Sequence, residues 1–79
     1  MRLRWKIVNY ADPMPAQFMG KGLVTSDDRF FVGARYVKSS GSHINWGAID
    51  FREGVYADEF ARQRDAKAFV ENGWSHEPI

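Results

Sequence analysis

Apolar residues recur at every second position from Arg2 to Tyr10: Leu3, Trp5 and Ile7 point one way, and Arg2, Arg4 and Lys6 point the other. This period of two predicts a half-buried antiparallel strand with a basic outer row. Val8 and Tyr10 continue that row as apolar residues, so the outer face is not purely polar. Ala11 to Gly22 carries Asp12-Pro13, Pro15, Gly20 and Gly22 and reads as a loop, because proline fixes the backbone and removes a donor. Met14, Phe18 and Met19 within it predict a flap packed over the core, the alternative being a mobile recognition loop.

A hairpin is expected next, with a short strand from Gly22 to Thr25, a turn at Ser26-Asp27-Asp28 and a long strand from Arg29 to Lys38. Phe30, Val32, Ala34 and Tyr36 share one face of the long strand; Phe31, Gly33, Arg35 and Val37 share the other. Apolar residues on both faces mark it as central. Lys38 to Ser42 is a polar turn, and His43 to Phe51 reads as a further strand. There Ile44, Trp46 and Ala48 hold one face but Ile49 and Phe51 the opposite one, a phase switch that a bulge near Gly47 would repair. Arg52-Glu53-Gly54 makes a tight turn, after which Val55, Tyr56 and Phe60 form a last short strand. In the alternative, Asp58 caps a longer helix and that strand does not exist.

The period changes to that of a helix only near the end. Ala66, Phe69 and Val70 fall at i, i+3 and i+4, which predicts a helix starting near Arg62 or Gln63 with Asp65 in its first turn. Asn72-Gly73 supplies the left-handed stop, and Trp74 folds back as the apolar residue beyond it. The expected fold is α+β: an antiparallel sheet of four to five strands with one C-terminal helix packed on it, in one small domain spanning residues 1–79.

Composition narrows the function classes. A chain of 79 residues buries roughly 60% of its extended surface, which leaves room for one core and one binding face. The absence of cysteine excludes disulfides, zinc-thiolate sites and thiol nucleophiles. No continuous apolar run matches a signal peptide or a membrane span, which points to the cytoplasm and away from membranes. His43, with Ser39, Ser40, Ser42 and Asp50, supplies the residue types of a serine triad but no nucleophile elbow. His76 beside Glu77 is too sparse for a metal site, and Gly20-Lys21-Gly22 lacks the context of a phosphate loop. The sequence therefore predicts no enzyme, no cofactor and no metal.

Charge is distributed unevenly. Residues 1–40 carry seven basic side chains against three acidic ones, whereas residues 41–79 carry four against seven. Arg2, Arg4, Lys6, Arg29, Arg35 and Lys38 are the candidate partner-binding residues: the first five form a basic sheet face beside which Tyr10 and Phe31 would offer stacking surfaces, and the loops Asp12–Lys21 and Lys38–His43 would join that face against an acidic partner surface. The same residues would also serve as a solvated outer face, and the pI near 8.1 lies below the range typical of nucleic-acid domains.

The run from Phe60 to Trp74 looks like the strand-to-helix junction of many small sheet-plus-helix proteins. As a compact, cysteine-free domain with polarised charge and no catalytic set, the chain is similar in kind to small phage-encoded inhibitors of the anti-CRISPR type. That resemblance implies a non-enzymatic protein that occupies a surface of a host complex, often one that itself handles nucleic acid. The alternative is a direct nucleic-acid-binding module using the basic sheet face.

Overall fold

The aromatic and β-branched run Phe30–Lys38 becomes the central strand of five. The computed structural model describes residues 3–38 and 42–74, with side chains except at positions 37, 38, 42 and 43. Among these residues the strands β1 (Trp5–Asn9), β2 (Phe18–Thr25), β3 (Phe30–Lys38), β4 (Ser42–Asp50) and β5 (Val55–Phe60) pair in chain order, each antiparallel to the next. A helix, α1 (Gln63–Glu71), follows and packs on β3, β4 and β5. The α+β architecture expected from the pattern is the one observed. The Asp58-capped longer helix does not form, because Asp58 lies within β5 and α1 begins after Arg62.

Two rows of paired residues cross the sheet and show where its cores lie. Lys6, Val24, Phe31, Ile49 and Tyr56 stand side by side on one face. There Phe18, Val24, Phe31 and Ile49 form a buried cluster, covered by Val8, Tyr10, Met14 and Ala16. On the other face the row runs Ile7, Leu23, Val32, Ala48, Ala57. Its Val32 and Ala48 are fully buried beneath Ala66 and Val70 of α1. The helix thus closes one face, and the Tyr10–Gln17 segment, with a short 3-10 turn at Pro15–Gln17, closes the other.

The sheet differs from the sequence reading in three places. The loop after β1 is shorter than Ala11–Gly22, because β2 already begins at Phe18. Met14 packs in the covering segment as expected, but Phe18 is a buried strand residue and Met19 turns to the helix-bearing face. The glycines that suggested a loop are tolerated in the sheet: Gly22 and Gly33 pair directly, and the Phe31 ring lies over both. Second, no bulge interrupts β4 against β3, whose register is unbroken from Phe30–Asp50 to Lys38–Ser42. The phase switch in β4 reflects a strand covered on both faces. The extra residue belongs to β5, where Ala57 to Phe60 faces only Ala48 to Trp46 and Glu59 adopts φ 71°. Third, the outer row of β1 becomes an inner one from Val8 onward, since Val8 and Tyr10 pack under the covering segment.

Beside that bulge the β4 backbone approaches its neighbours closely. A Cβ on Gly47 would lie 2.6 Å from the Ala57 carbonyl oxygen and 2.7 Å from the Phe18 ring. Gly47→Ala is therefore expected to destabilise the fold by about 1–3 kcal/mol, read as a fall in the thermal midpoint, because backbone and a buried ring must both move.

Candidate functional site

Of the six basic residues singled out in the sequence, the structure brings few together on a free surface. Arg2 lies outside the described residues, and Lys38 is placed only by its backbone, opposite Ser42. Arg4 is exposed. Lys6 is also exposed and pairs with Asp28 at 2.9 Å. Arg29 grips Asp50 through two hydrogen bonds of 3.2 and 3.1 Å, and its guanidinium lies 4.7 Å from the Phe30 ring centre. Arg35 is only 8% exposed. It donates to Asp58 and, at 2.8 Å, to the Ala16 carbonyl, with its guanidinium 5.5 Å from the Phe18 ring and 5.3 Å from the Tyr56 ring. Phe31 is fully buried, so it offers no stacking surface.

Two of these cations thus join elements of the fold. Arg35 links β3 to β5 and to the segment that covers the aromatic core. Asp50 ends β4 and caps the turn that follows: its Oδ1 accepts the backbone N–H groups of Arg52 at 3.0 Å and Glu53 at 3.3 Å while Arg29 reaches it from the neighbouring hairpin. Burial alone would raise the Asp50 carboxyl. The hydrogen bonds from Arg29, Glu53 and Arg52 outweigh that and hold it below the ordinary carboxylate value. Asp27 is lowered by the Thr25 hydroxyl, which donates to it at 2.6 Å, and then by the Arg29 backbone N–H.

The open surface lies elsewhere. Along the row Ile7–Leu23–Val32–Ala48, burial falls from complete at Val32 and Ala48 to partial at Leu23, and Ile7 is 82% exposed. Five strands spaced by about 4.8 Å span roughly 19 Å, whereas a helix covers about 10 Å. The nine-residue α1 packs mainly on β3–β5, and its last turns reach β1, where Trp5 Nε1 donates to Glu71 at 3.0 Å and Lys67 stands over the Trp5 ring; Ile7 of β1 and Met19 and Leu23 of β2 are left open near Gln63 at its N-terminal end. A groove of about 470 Å³ occupies this space. Its walls are Ile7, Met19, Leu23, Ala34 and Trp46, with Lys21 and Gln63 as the polar side chains at its margin. Ile44, 57% exposed, and Tyr36 opposite it extend the apolar surface along β3 and β4. A smaller cavity of about 200 Å³ lies on the opposite face among Pro15, Ile49, Phe51, Val55 and Tyr56.

Of the groove residues, sequence reasoning placed only Met19 and Lys21 against a partner, within the Asp12–Lys21 loop. Ile7 and Trp46 read as core, Met19 as flap. The available signal was an area mismatch, one short helix against a wide sheet. The triad candidates do not converge. Ser39 and Ser40 lie outside the described residues, while Asp50 stands seven residues along β4 from His43, about 23 Å at strand rise, and is engaged by Arg29. Among the described residues no three His, Asp or Glu side chains group as metal ligands, and no helix is long and apolar enough to cross a membrane. No protein-family model, curated protein or solved structure matches the chain.

The two internal ion pairs generate separate expectations. Arg35→Met should lower stability by about 1–3 kcal/mol in urea denaturation, less than a fully buried pair because Asp58 is about a third exposed. For Asp50, the folded carboxyl titrates below its unfolded counterpart. The stability it contributes is therefore present above the unfolded value near 3.9 and is lost as pH falls through the lower folded value. Asp50→Asn is expected to cost about 1–3 kcal/mol at pH 7 and to flatten the decline of stability between about pH 5 and pH 2. Parallel declines in the two proteins would contradict this assignment.

Proposed function

We propose that this chain is a non-enzymatic binding protein that occupies a surface of a protein partner, the mode of action of the small phage-encoded inhibitors it resembles in kind. The groove between β1–β3 and α1 is the docking element. The observation that carries this reading is the contiguous apolar surface of Ile7, Met19, Leu23, Ala34 and Trp46, left open beside the helix on the same face. Exposed apolar surface concentrated in a concave site supplies the anchor contacts on which protein interfaces depend. Against a nucleic-acid backbone the chain offers less, since Lys6, Arg29 and Arg35 already hold carboxylates of their own chain. Phosphate binding draws its strength from cations free to displace counterions.

The test compares an Ile7→Asp/Met19→Asp variant with an Arg4→Ala/Lys6→Ala variant. Each is used to capture partners from a lysate of the encoding organism and is titrated with labelled DNA and RNA at two salt concentrations. Both substitution pairs lie on exposed side chains, so the fold is expected to survive. Capture lost in the first variant, retained in the second and little affected by salt supports the groove reading. Nucleic-acid binding that falls steeply with salt and vanishes in the second variant overturns it.

A further inference from the structure

We infer that the occupant of this groove is an amphipathic helix with acidic flanks, contributed by the partner protein; this rests on the docking reading above and names the chemistry it recognises. Two features lead there.

The floor of the groove is the side-chain surface of a sheet, made by residues from four adjacent strands whose backbones already pair with one another. An extended peptide laid on that surface would find no backbone partners for its own N–H and C=O groups. A helix arrives with those bonds already made and needs only an apolar stripe. The occupant therefore meets the groove beside the N-terminal end of α1, presenting apolar residues at i, i+3, i+4 and i+7.

Charge at the margin sets its flanks. Lys21 borders the groove, exposed. It takes part in no ion pair among the described residues, unlike Lys6, Arg29 and Arg35. On α1, Gln63 borders the groove too, whereas Lys67 and Glu71, one and two turns further on that flank, are engaged with Trp5. Glutamate or aspartate beside the apolar stripe of the occupant would meet the Lys21 ammonium group. A second copy of the chain is a poorer fit. Its α1 turns Arg64, Asp65 and Ala68 outward and has no large exposed apolar residue to insert.

The experiment selects ligands without assuming a sequence. A displayed library of random 18-residue peptides is panned against the full chain, with Ile7→Asp/Met19→Asp protein as counter-selection. Selected peptides are then studied by circular dichroism, by amide chemical shifts and by affinity for Lys21→Glu protein. The expected peptides carry apolar residues at helical spacing with acidic flanks, gain helix on binding and shift the Ile7, Leu23 and Trp46 resonances. They should bind Lys21→Glu about two- to fivefold more weakly, as for an exposed ion pair, and Ile7→Asp/Met19→Asp at least about tenfold more weakly. Groove-bound peptides with period-two patterns or basic flanks would overturn the acidic-helix inference and leave the docking reading standing. Peptides that bind wild type and the Ile7→Asp/Met19→Asp protein alike, or no enrichment from the library, would overturn both. Concentration-dependent dimerisation abolished by Ile7→Asp would replace the partner helix with a second copy.

Discussion

A strand that is apolar on both faces must be covered on both, and this chain has one short helix with which to do it. β3 creates the demand: Phe31 faces one way and Val32 the other, and both are fully buried. The helix answers on the Val32 side. On the Phe31 side no α-helix packs among the described residues, and the segment between β1 and β2 serves as the cover. Loop backbone brings unpaired polar groups, and a buried loop has to satisfy them. Arg35 meets part of that need by donating to the Ala16 carbonyl from within the sheet. Because Ala16 and Gln17 both adopt positive φ, this turn is one the backbone does not favour by itself, and the arginine helps to hold it.

The basic residues are accordingly part of the architecture. Arg35 ties the cover to β3 and β5, and Arg29 ties the β2–β3 turn to the β4–β5 turn through Asp50. Both act where a hairpin or loop end lacks a regular partner. Both also lie against aromatic rings, Arg29 on Phe30 and Arg35 between Phe18 and Tyr56, so their planar guanidinium groups fill core space as well as carrying charge. A lysine in either position would supply charge without the planar fork.

Much of this fold was legible in the sequence. The central strand, the Ser26–Asp28 and Arg52–Gly54 turns, the start of α1 and its Gly73 stop all follow from local pattern and turn chemistry. What misled were glycines and parity. Gly20 and Gly22 read as loop residues although both lie within β2, since a glycine required by a close neighbour, the Tyr10 backbone at Gly20 and the Phe31 ring at Gly22, looks the same in sequence as one that breaks a strand. Arg35 read as a surface cation because its partners, Asp58 and the Ala16 carbonyl, are supplied by segments far along the chain. Periodicity assigns a side chain to a face but does not say whether that face is covered. The groove escaped for the same reason: Ile7 and Leu23 have the pattern of core residues, and only the placement of α1, whose last turns cover Trp5 but not Ile7, leaves them open.

That opening is selective. Sheet edges are the usual hazard in a small β-rich protein, because unpaired strands invite other strands. Here the edge strand β1 is five residues long and carries Lys6, and β5 is broken by its Asp58–Glu59 bulge. Both edges are therefore short, charged or irregular. The exposed apolar residues of β1 and β2, Ile7 and Met19, gather instead on the sheet face beside the helix. The concave strip they form, with the exposed Lys21 at its margin, gives the open part of the helix-bearing face the character of an interface: it accepts side-chain packing at the floor while the short, charged β1 discourages strand pairing at the rim.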